Sequence, residues 1–476
     1  MNGILISATR RSSGKTTVTL GIAAALARRG TAVQTFKKGL DYIDPMWLGR
    51  AAGRPCRTLD FHTMSADEIK AAYAVHLRDA DLGLVEGNKG LFDGLDVEGT
   101  DSNAALASLL DLPVVLVIDT RGMTRGIAPL IKGYEVFDED IRIAGIILNQ
   151  VDGPRHEGKL RAALERYTDV PVLGVIGHNP EIGIAERHLG LVPANEAREA
   201  DDKIAAIADI VEQGVDMEGL RALARTPVRL VPSGGLAKGP APAPDVRIAI
   251  ARDAAFGFYY ADDLEALARA GARLVPFDTL RDARLPAADG LFIGGGFPET
   301  HAARLAANQS LRHDIRRALE AGLPAYAECG GLMYLCQSLL WRGRRHEMAG
   351  FIPADAIMHE RPVGHGYMRL RETAAAPWPA LGAARGTFPA HEFHYASLEN
   401  LPDGLSYAYE VTRGYGIDGR RDGLVLGNLL AAFSHQHDTA ANRWAERFVG
   451  FVRAQRSLRE AWSAEAAVAS GSCRWR

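Results

Sequence analysis

Residues 4–18 read Ile4-Leu5-Ile6-Ser7-Ala8-Thr9-Arg10-Arg11-Ser12-Ser13-Gly14-Lys15-Thr16-Thr17-Val18, an apolar run followed by a polar loop. The run predicts a buried strand, and Ile22 and Leu26, one turn apart, predict a helix after the loop. The N–H groups of a first helical turn have no partner within the helix and can bind phosphate oxygens. The stretch therefore predicts a nucleotide-binding P-loop that includes Ser13, Gly14, Lys15, Thr16 and Thr17.

One position departs from the usual P-loop spacing, because Thr9 stands where the pattern has glycine. A chance Gly-Lys-Thr at an ordinary helix start is the alternative reading. The strand before the loop and the helix after it favour the P-loop. In that reading Lys15 places a positive charge on the phosphates and the Thr16 hydroxyl binds Mg²⁺.

The composition predicts the general class of the protein. A chain of 476 residues is too long for one core, so two domains are expected. With 55 basic and 58 acidic residues, a formal net charge of −3, nucleic acid is not an expected partner. No apolar run reaches the roughly 18–20 residues that span a bilayer, and a strand at the N-terminus leaves no room for a signal peptide. Four scattered cysteines form neither a disulfide framework nor a zinc pattern. We therefore expect a cytoplasmic protein.

Carboxylates follow two of the predicted strands in the first half. Asp41 and Asp44 come after the strand at 32–36, and Glu86 directly follows the strand at 82–85. A turn at Asp44-Pro45 is the alternative explanation for the first pair. Strand ends of an open α/β sheet bind ligands, and carboxylates repel phosphate, so a divalent cation is needed to explain this crowding. The prediction is Mg²⁺ near Thr16, Asp41, Asp44 and Glu86.

Continuous apolar runs at 113–119, 143–149 and 171–176 predict further strands of a parallel sheet covered by helices. Asn149 ends one of them and is expected either to contact a purine or simply to end the strand. A helical pattern runs from Lys203 to about Ala224. The proline- and glycine-rich residues 232–244 then predict a linker.

A second α/β pattern follows the linker. We predict a P-loop domain at 1–225, a linker at 226–245, a second α/β domain at 246–445 and a helical tail at 446–476. Strands are expected at 246–251, 273–277 and 290–293. The last runs into Gly294-Gly295-Gly296, whose bare N–H groups can face an oxyanion.

Cys329 lies at a predicted strand-to-helix turn, in Tyr326-Ala327-Glu328-Cys329-Gly330-Gly331. This is the arrangement of a nucleophile elbow, and the helix start favours negative charge on the sulfur. Cys336 is expected in the core. About a hundred residues later, His435 and His437 are candidate bases, of which we favour His435. The predicted oxyanion donors are the N–H groups of Gly295 and Gly330.

These motifs together resemble the cobyrinic acid a,c-diamide synthase family over nearly the whole chain. The matching segments are residues 13–18, Asp41-Tyr42-Ile43-Asp44-Pro45, Glu86 with residues 90–94, Arg187-His188-Leu189-Gly190-Leu191-Val192-Pro193, residues 294–299, residues 328–334 and His391-Glu392-Phe393-His394-Tyr395. The resemblance implies a dethiobiotin-synthetase-like ATPase domain followed by a class I glutamine amidotransferase-like domain. It also implies glutamine and MgATP as reactants and a tetrapyrrole or corrinoid as acceptor, with a protected path for ammonia.

Departures from the family pattern cluster at the expected acceptor site. The family usually has Gly-Pro-Asp-Tyr, where this chain has Gly39-Leu40-Asp41-Tyr42, and Glu-Gly-Val-Met-Gly, where it has Glu86-Gly87-Asn88-Lys89-Gly90. Tyr42, Ile43, Asn88 and Lys89 are accordingly the residues expected at the substrate. The Asn88-Lys89 form is similar to a branch associated with siroheme amidation. Class I amidotransferases also commonly have Glu where His437 stands, so another group is expected to orient His435.

Other functions stay open at this point. The same chemistry on siroheme or Ni-sirohydrochlorin is one. A partitioning-type ATP switch with an inactive amidotransferase domain is another, and a cobyric acid synthase a third. The oligomeric state is open, with a homodimer as one assembly to test.

Overall fold

The computed structural model describes residues 2–184, 186–187, 190–197, 199–225, 242–380 and 386–471. The chain divides into two compact units, Met1–Ala237 and Lys238–Arg476. The predicted linker at 226–245 lies outside the described residues except for 242–245. The domain limits predicted from the sequence therefore remain a proposal.

The described part of the first unit is built on seven parallel strands. They are β1 (Gly3–Ala8), β2 (Val33–Lys38), β3 (Arg57–Leu59), β4 (Leu82–Glu86), β5 (Val114–Asp119), β6 (Ile143–Val151) and β7 (Val172–Gly177). Their order is β3-β2-β4-β1-β5-β6-β7. Every residue of β1, β2, β4 and β5 is buried, as expected for parallel strands covered on both faces. The predicted parallel α/β sheet is confirmed.

Helices connect these strands. Those described in the first unit are α1 (Lys15–Arg28), α2 (Ile43–Ala52), α3 (Ala66–His76), α4 (Asn103–Leu110), α5 (Ile127–Phe137), α6 (Gly153–Tyr167), α7 (Ala200–Gly214) and α8 (Met217–Ala224). A small ribbon pairs β8 (Glu186–Arg187) with β9 (Gly190–Leu191). The helical pattern expected from Lys203 to about Ala224 is two helices, because the chain turns at Val215 and the Asp216 side chain caps α8.

The strands described in the second unit are β10 (Val246–Ala251), β11 (Phe256–Phe258), β12 (Ala272–Phe277), β13 (Gly290–Ile293), β14 (Gly295–Gly296), β15 (Ala325–Glu328), β16 (Cys336–Trp341), β17 (Arg344–Glu347), β18 (Ile352–Met358), β19 (Gly364–Glu372), β20 (Thr387–His394), β21 (Ala396–Glu399), β22 (Ser406–Arg413), β23 (Arg421–Leu426) and β24 (Leu429–Ala432). Nine of these described strands form one sheet, in the order β12-β10-β13-β15-β24-β23-β22-β19-β20. Pairs from β12 to β24 are parallel, and pairs from β24 to β20 are antiparallel.

The described helices of this unit are α9 (Ala261–Arg269), α10 (Ala302–Ala307), α11 (Gln309–Glu320), α12 (Gly330–Leu335) and α13 (Trp444–Gly471). The helical tail predicted at 446–476 falls mostly within α13, which begins at Trp444. Trp444, Phe448 and Val452 lie one turn apart on α13 and are completely buried, so the start of this helix completes the core. Cys336 is also completely buried, as predicted. Among the helices described, none combines the length and the apolar character needed to cross a membrane.

Candidate active sites

The P-loop joins the end of β1 to the start of α1. Gly14 precedes the helix with a φ of 81°, a left-handed conformation that favours glycine. A Cβ atom at Gly14 would lie 2.1 Å from Asn149 Nδ2, so the position has no room for a side chain. Ser13 Oγ donates to the Arg10 carbonyl at 2.9 Å. The loop is thereby held in one conformation, with the first-turn N–H groups of α1 left for a ligand.

Asn149, at the carboxyl half of β6, is buried and donates from Nδ2 to the Ser13 carbonyl at 2.9 Å. The sequence offered a purine contact or a simple strand end for this residue. Neither reading included its bond to the P-loop, which the structure adds. The purine contact stays a prediction.

Five side chains, from α1, β2, β4 and the segment at the start of α2, meet beside the P-loop. Thr16 Oγ1 donates to Glu86 Oε1 at 2.8 Å and lies 3.4 Å from Asp44 Oδ2. Lys37 Nζ lies 2.5 Å from Asp44 Oδ2, 2.8 Å from Glu86 Oε1 and 4.0 Å from Asp41 Oδ2. We call Thr16, Lys37, Asp41, Asp44 and Glu86 the carboxylate cluster. The predicted convergence of Asp41, Asp44 and Glu86 is present.

Lys37 corrects one part of the sequence argument. Its side chain is only 3% exposed, and its ammonium lies among the carboxylates. A divalent cation is therefore not the only group that can balance the crowded negative charges, because the protein supplies a buried positive charge of its own. The sequence analysis gave Lys37 no role.

The carboxylate cluster still fits Mg²⁺. Its carboxylate and hydroxyl oxygens are the hard ligands that Mg²⁺ prefers. Glu86 is fully buried, and its Oε2 atom has no hydrogen-bond partner among the described residues. A buried, unpaired carboxylate oxygen is costly unless a ligand satisfies it. The site is thus incomplete in the protein alone, and a cation would complete it.

The charges of the cluster shift its pKa values in opposite directions. Burial and the neighbouring Asp44 raise the pKa of Asp41 to about 7. Burial also acts to raise the pKa of Asp44, but the Lys37 ammonium outweighs it, and that pKa is lowered. Burial and repulsion by Lys37 lower the pKa of Lys15. The two neighbouring carboxyls of the cluster, Asp41 and Asp44, therefore have pKa values shifted in opposite directions.

The residues expected at the acceptor are close to this cluster in sequence. Asn88 Oδ1 accepts from Lys38 Nζ at 3.2 Å, and Lys89 has a left-handed φ of 27°. Tyr42 and Ile43, at the start of α2, are largely buried, with 9% and 7% of their surfaces exposed. Their roles toward a substrate stay predictions. In the matched segment around β8 and β9, His188 and Leu189 lie outside the described residues.

Cys329 forms the turn between β15 and α12. Its φ of 47° and ψ of −102° are unusual for a residue with a side chain, as expected at a strained nucleophile elbow. The two glycines after it are required by close packing. A Cβ atom at Gly331 would lie 2.1 Å from the Ile293 carbonyl oxygen, and one at Gly330 would lie 2.9 Å from Pro298 Cδ. The sulfur at this turn is buried and lies 3.9 Å from the Phe393 carbonyl oxygen.

His435 lies against this elbow. Its side chain hydrogen-bonds to that of Cys329, and Nδ1 is 3.3 Å from Glu328 Oε2. Burial alone would lower the pKa of His435, but Cys329 and Glu328 raise it to about 10. His437 instead packs its ring 4.9 Å from the ring of Tyr260. These contacts favour His435 over His437 as the base, the choice predicted from the sequence.

The glycine-rich segment after β13 reaches the same place. A Cβ atom at Gly295 would lie 2.6 Å from His435 Cε1, and one at Gly330 would lie 3.1 Å from the Gly296 nitrogen. The N–H of Gly294 is already used, since it donates to the Tyr259 hydroxyl at 2.9 Å. Gly295 and Gly330 therefore border the sulfur and imidazole, and their role as oxyanion donors remains a prediction.

The sequence analysis missed the functional contacts of Lys37 and Glu328. Both lie at the carboxyl ends of parallel strands, β2 and β15, one residue or less from the strand's last position. This is the edge at which open α/β sheets bind ligands. Their place at the carboxyl end of an apolar run was the feature of the sequence that could have indicated a functional role for both residues.

Comparisons with known proteins agree with these two sites. Residues 4–191 match the family described as the CobQ/CobB/MinD/ParA nucleotide binding domain. Residues 247–443 match the CobB/CobQ-like glutamine amidotransferase domain.

Curated relatives match over nearly the full chain. A protein of Magnetococcus marinus is 46% identical over 460 residues, which cover 96% of this chain and 98% of the relative. A protein of Methanosarcina acetivorans is 40% identical over 486 residues, covering 96% and 97%. One of Archaeoglobus fulgidus is 39% identical over 448 residues, covering 94% and 96%. All three relatives are named cobyrinate a,c-diamide synthase.

Proposed function

This chain belongs to the cobyrinate a,c-diamide synthase family, and we propose that it converts the a and c acetate carboxylates of cobyrinic acid into amides. The chain is a glutamine-hydrolysing amido-ligase. In the proposed reaction ATP activates each carboxylate and glutamine supplies the nitrogen. The observation that carries the proposal is the contact of His435 with Cys329 at a strained elbow, in the same chain as the P-loop.

Glutamine hydrolysis is proposed to occur at Cys329. The thiol gives its proton to His435, the sulfur attacks the side-chain amide carbon, and the N–H groups of Gly295 and Gly330 stabilise the oxyanion. His435 then gives a proton to the departing nitrogen, so that ammonia leaves and a glutamyl thioester remains. Water, deprotonated by His435, cleaves the thioester to release glutamate and restore the thiol.

Activation of the acceptor is proposed to occur at the P-loop. A carboxylate is a poor electrophile, because its oxygen is a poor leaving group. A carboxylate oxygen therefore takes the γ-phosphoryl group of ATP, and ammonia attacks the resulting acyl phosphate, which releases phosphate and one proton. Lys15 is positioned by the loop to contact the phosphates.

The carboxylate cluster has a separate part in this step. Thr16, Asp41, Asp44 and Glu86 would hold Mg²⁺, which when bound neutralises charge on the phosphate oxygens. Lys37 holds Asp44 and Glu86 in place through its two short contacts. Tyr42, Ile43, Asn88 and Lys89 are the residues we propose near the macrocycle.

Cobyrinic acid is the acceptor we propose in preference to siroheme or Ni-sirohydrochlorin, because the relatives carry the cobyrinate name. The test is ADP release and amide formation with the three tetrapyrroles side by side, each with glutamine and MgATP. We expect cobyrinic acid to give ADP and a diamide detected by mass spectrometry. Faster turnover of either alternative would overturn the choice of acceptor.

The same assay separates the enzyme from an ATP switch with an inactive second domain. The enzyme should release glutamate from glutamine, and the Cys329→Ala variant should not. ATP hydrolysis without any glutamate release from the wild-type chain would support the switch instead.

A further inference from the structure

Glu328 is the residue immediately before the proposed nucleophile, and its side chain is almost completely buried. His435 needs a group that fixes its ring, and the position two residues further on carries His437. We infer that Glu328 is the positioning residue of the Cys329–His435 pair: its carboxylate holds the proton on His435 Nδ1 and orients the ring toward the sulfur. The inference rests on the proposed glutaminase role of this site.

Both oxygens of Glu328 are used. Oε1 accepts from the Tyr326 hydroxyl at 2.6 Å and from the Gln436 backbone N–H at 3.0 Å. Oε2 lies 3.3 Å from His435 Nδ1. One carboxylate therefore contacts the imidazole and also the backbone of the next residue. This double contact restrains the ring and the loop that carries it.

A second layer of buried side chains determines the direction of these bonds. Asn442 Nδ2 donates to Gln436 Oε1 at 2.8 Å, which orients the Gln436 amide. Gln436 Nε2 then donates to the hydroxyls of Tyr326 at 2.8 Å and Tyr409 at 3.1 Å. Because an amide nitrogen only donates, the single proton of the Tyr326 hydroxyl is free to go to Glu328. Glu328 Oε1 thus accepts two hydrogen bonds.

This arrangement selects one tautomer of His435. A carboxylate oxygen only accepts hydrogen bonds, so Oε2 of Glu328 favours a hydrogen on Nδ1 of His435. The other ring nitrogen, Nε2, then carries no hydrogen and can accept the proton of the sulfur. The negative charge of Glu328 also stabilises the imidazolium that forms when His435 takes a proton. Positioning and charge balance therefore come from the same residue.

Titratable groups on three elements lie close to His435. Cys329 and Glu328 face its ring, and both raise its pKa against the effect of burial. His391, on β20, exchanges backbone hydrogen bonds with His435 at 3.1 and 2.7 Å, and the two ring centroids are 6.4 Å apart. Removal of the Glu328 charge should lower the pKa of His435, and the basic limb of the pH profile should move to lower pH.

The alternative is that Glu328 only anchors the 433–437 loop, as buried carboxylates often do. Glu328→Gln distinguishes the two roles, because it keeps the shape but removes the charge and lets an amide N–H face Nδ1. Asp355→Asn is the matched control. Asp355 is another buried carboxylate of this unit, and it accepts from Ser338 Oγ at 2.5 Å and Asn400 Nδ2 at 2.7 Å in the sheet of β16 and β18.

The experiment measures glutamate release from glutamine by the full-length protein between pH 6 and pH 10, and amide formation from ammonium chloride, ATP and cobyrinic acid. For Glu328→Gln we expect kcat for glutamine to fall by about 100-fold or more, toward the roughly 10⁴-fold loss known for a wrong histidine tautomer. KM should change little, the basic limb should shift to lower pH, and ammonia-driven amidation should persist. Glu328→Asp should recover part of the kcat, and Asp355→Asn should keep it.

An unchanged kcat and pH profile in a folded Glu328→Gln variant would overturn the inference. If this variant does not fold, Tyr326→Phe carries the test, because it removes one donor to the carboxylate and leaves Glu328 in place. A several-fold lower kcat with a shifted basic limb supports the inference, and an unchanged profile contradicts it. Absence of glutaminase activity in the wild-type chain would instead contradict the proposed function itself.

Discussion

The carboxylate cluster of the first unit and the Glu328 network of the second unit follow the same local plan and differ in completeness. In both, an acidic residue ends a buried parallel strand. Glu328 has protein partners for both oxygens. Glu86 is equally buried, yet its Oε2 atom has none among the described residues.

This difference indicates that the two sites depend on their ligands to different extents. Three carboxylates face two buried lysines, Lys37 in direct contact and Lys15 at longer range, so negative charge is still in excess when all three are ionised. In the Glu328 network every polar group that holds His435 is supplied by the protein. We therefore expect the first site to be completed by nucleotide and Mg²⁺, and the second to be assembled before glutamine binds.

The largest expected effect separates the two sites by activity. Cys329→Ala should reduce glutamine hydrolysis to background, because it removes the sulfur that forms the thioester. It should leave ammonia-driven, ATP-dependent amidation in place. The two rates are measured on one preparation by glutamate release and by mass spectrometry of the product. Loss of both rates in a folded variant would contradict this account, because the glutaminase and amidation activities could then not be assigned to separate sites.

The next effect tests the charge balance of the cluster. Lys37→Met leaves buried carboxylates without their counter-charge and should destabilise the first unit by about 3–5 kcal/mol. Lys38→Met is the matched control, because Lys38 is equally buried but has no short contact with a carboxylate among the residues that the structure describes. Its ammonium lies 3.2 Å from the amide oxygen Oδ1 of Asn88 and as far as 4.0 Å from the carboxylate of Asp101. Calorimetric unfolding in EDTA and in MgCl₂ measures both variants.

Added Mg²⁺ should raise the unfolding temperature of Lys37→Met more than that of the wild-type chain, because the ion replaces the missing positive charge. An equal effect of Mg²⁺ on both proteins would contradict the account of the cluster as a site short of positive charge.

A smaller effect concerns the shape of the P-loop. Gly14→Ala combines a φ of 81° with a Cβ position 2.1 Å from Asn149 Nδ2. Gly30→Ala, at a φ of 78° with no atom within 4 Å, carries the backbone strain alone, about 1–2 kcal/mol. Calorimetric titration should therefore show weaker ATP binding for Gly14→Ala and unchanged binding for Gly30→Ala. Equal affinities would show that the Asn149–Ser13 bond does not matter for the loop.

The smallest expected effect is the pH dependence of the cluster. Since the pKa of Asp41 is raised to about 7 in the folded protein, stability from this group is present at low pH and is lost as pH rises through about 7. Asp41→Asn should remove this dependence. In EDTA, the unfolding temperature of the variant relative to wild type should increase from pH 5 to pH 8. A constant difference would show that Asp41 is already ionised at pH 5.

Local patterns allowed the strand, loop and helix of the P-loop and the strand-to-helix turn at Cys329 to be predicted. The P-loop and the Cys329 elbow each consist of a few consecutive residues between an apolar strand and the start of a helix. Asp41, Asp44 and Glu86 follow strands whose apolar runs are easy to recognise.

The contacts of Lys37 and Glu328 could not be predicted in this way, because they depend on strand register. Lys37 lies opposite Glu86 in the pairing of β2 with β4, whereas Lys38, the next residue, is directed to Asn88. Glu328 lies opposite Ala432 in the pairing of β15 with β24, which brings His435 within reach from 107 residues away. Neither register is visible in a single sequence.

The antiparallel half of the second sheet was also not predicted. Strands β19 and β22 mix buried, half-buried and exposed residues without a regular period, and they pair across intervening segments of the chain. The predicted start of the tail at 446 fell inside α13 for a similar reason, since the burial of Trp444 and Phe448 is a consequence of tertiary packing.

The central claim is that nitrogen freed at Cys329 becomes the amide formed at the P-loop. Its most direct test is transfer of ¹⁵N from amide-labelled glutamine to cobyrinic acid in the presence of MgATP. The account predicts labelled amide in the product, one ADP for each amide, and no label transfer by Cys329→Ala, which should still use unlabelled ammonium chloride. Intact glutamine, or ATP consumed without any new amide, would contradict it.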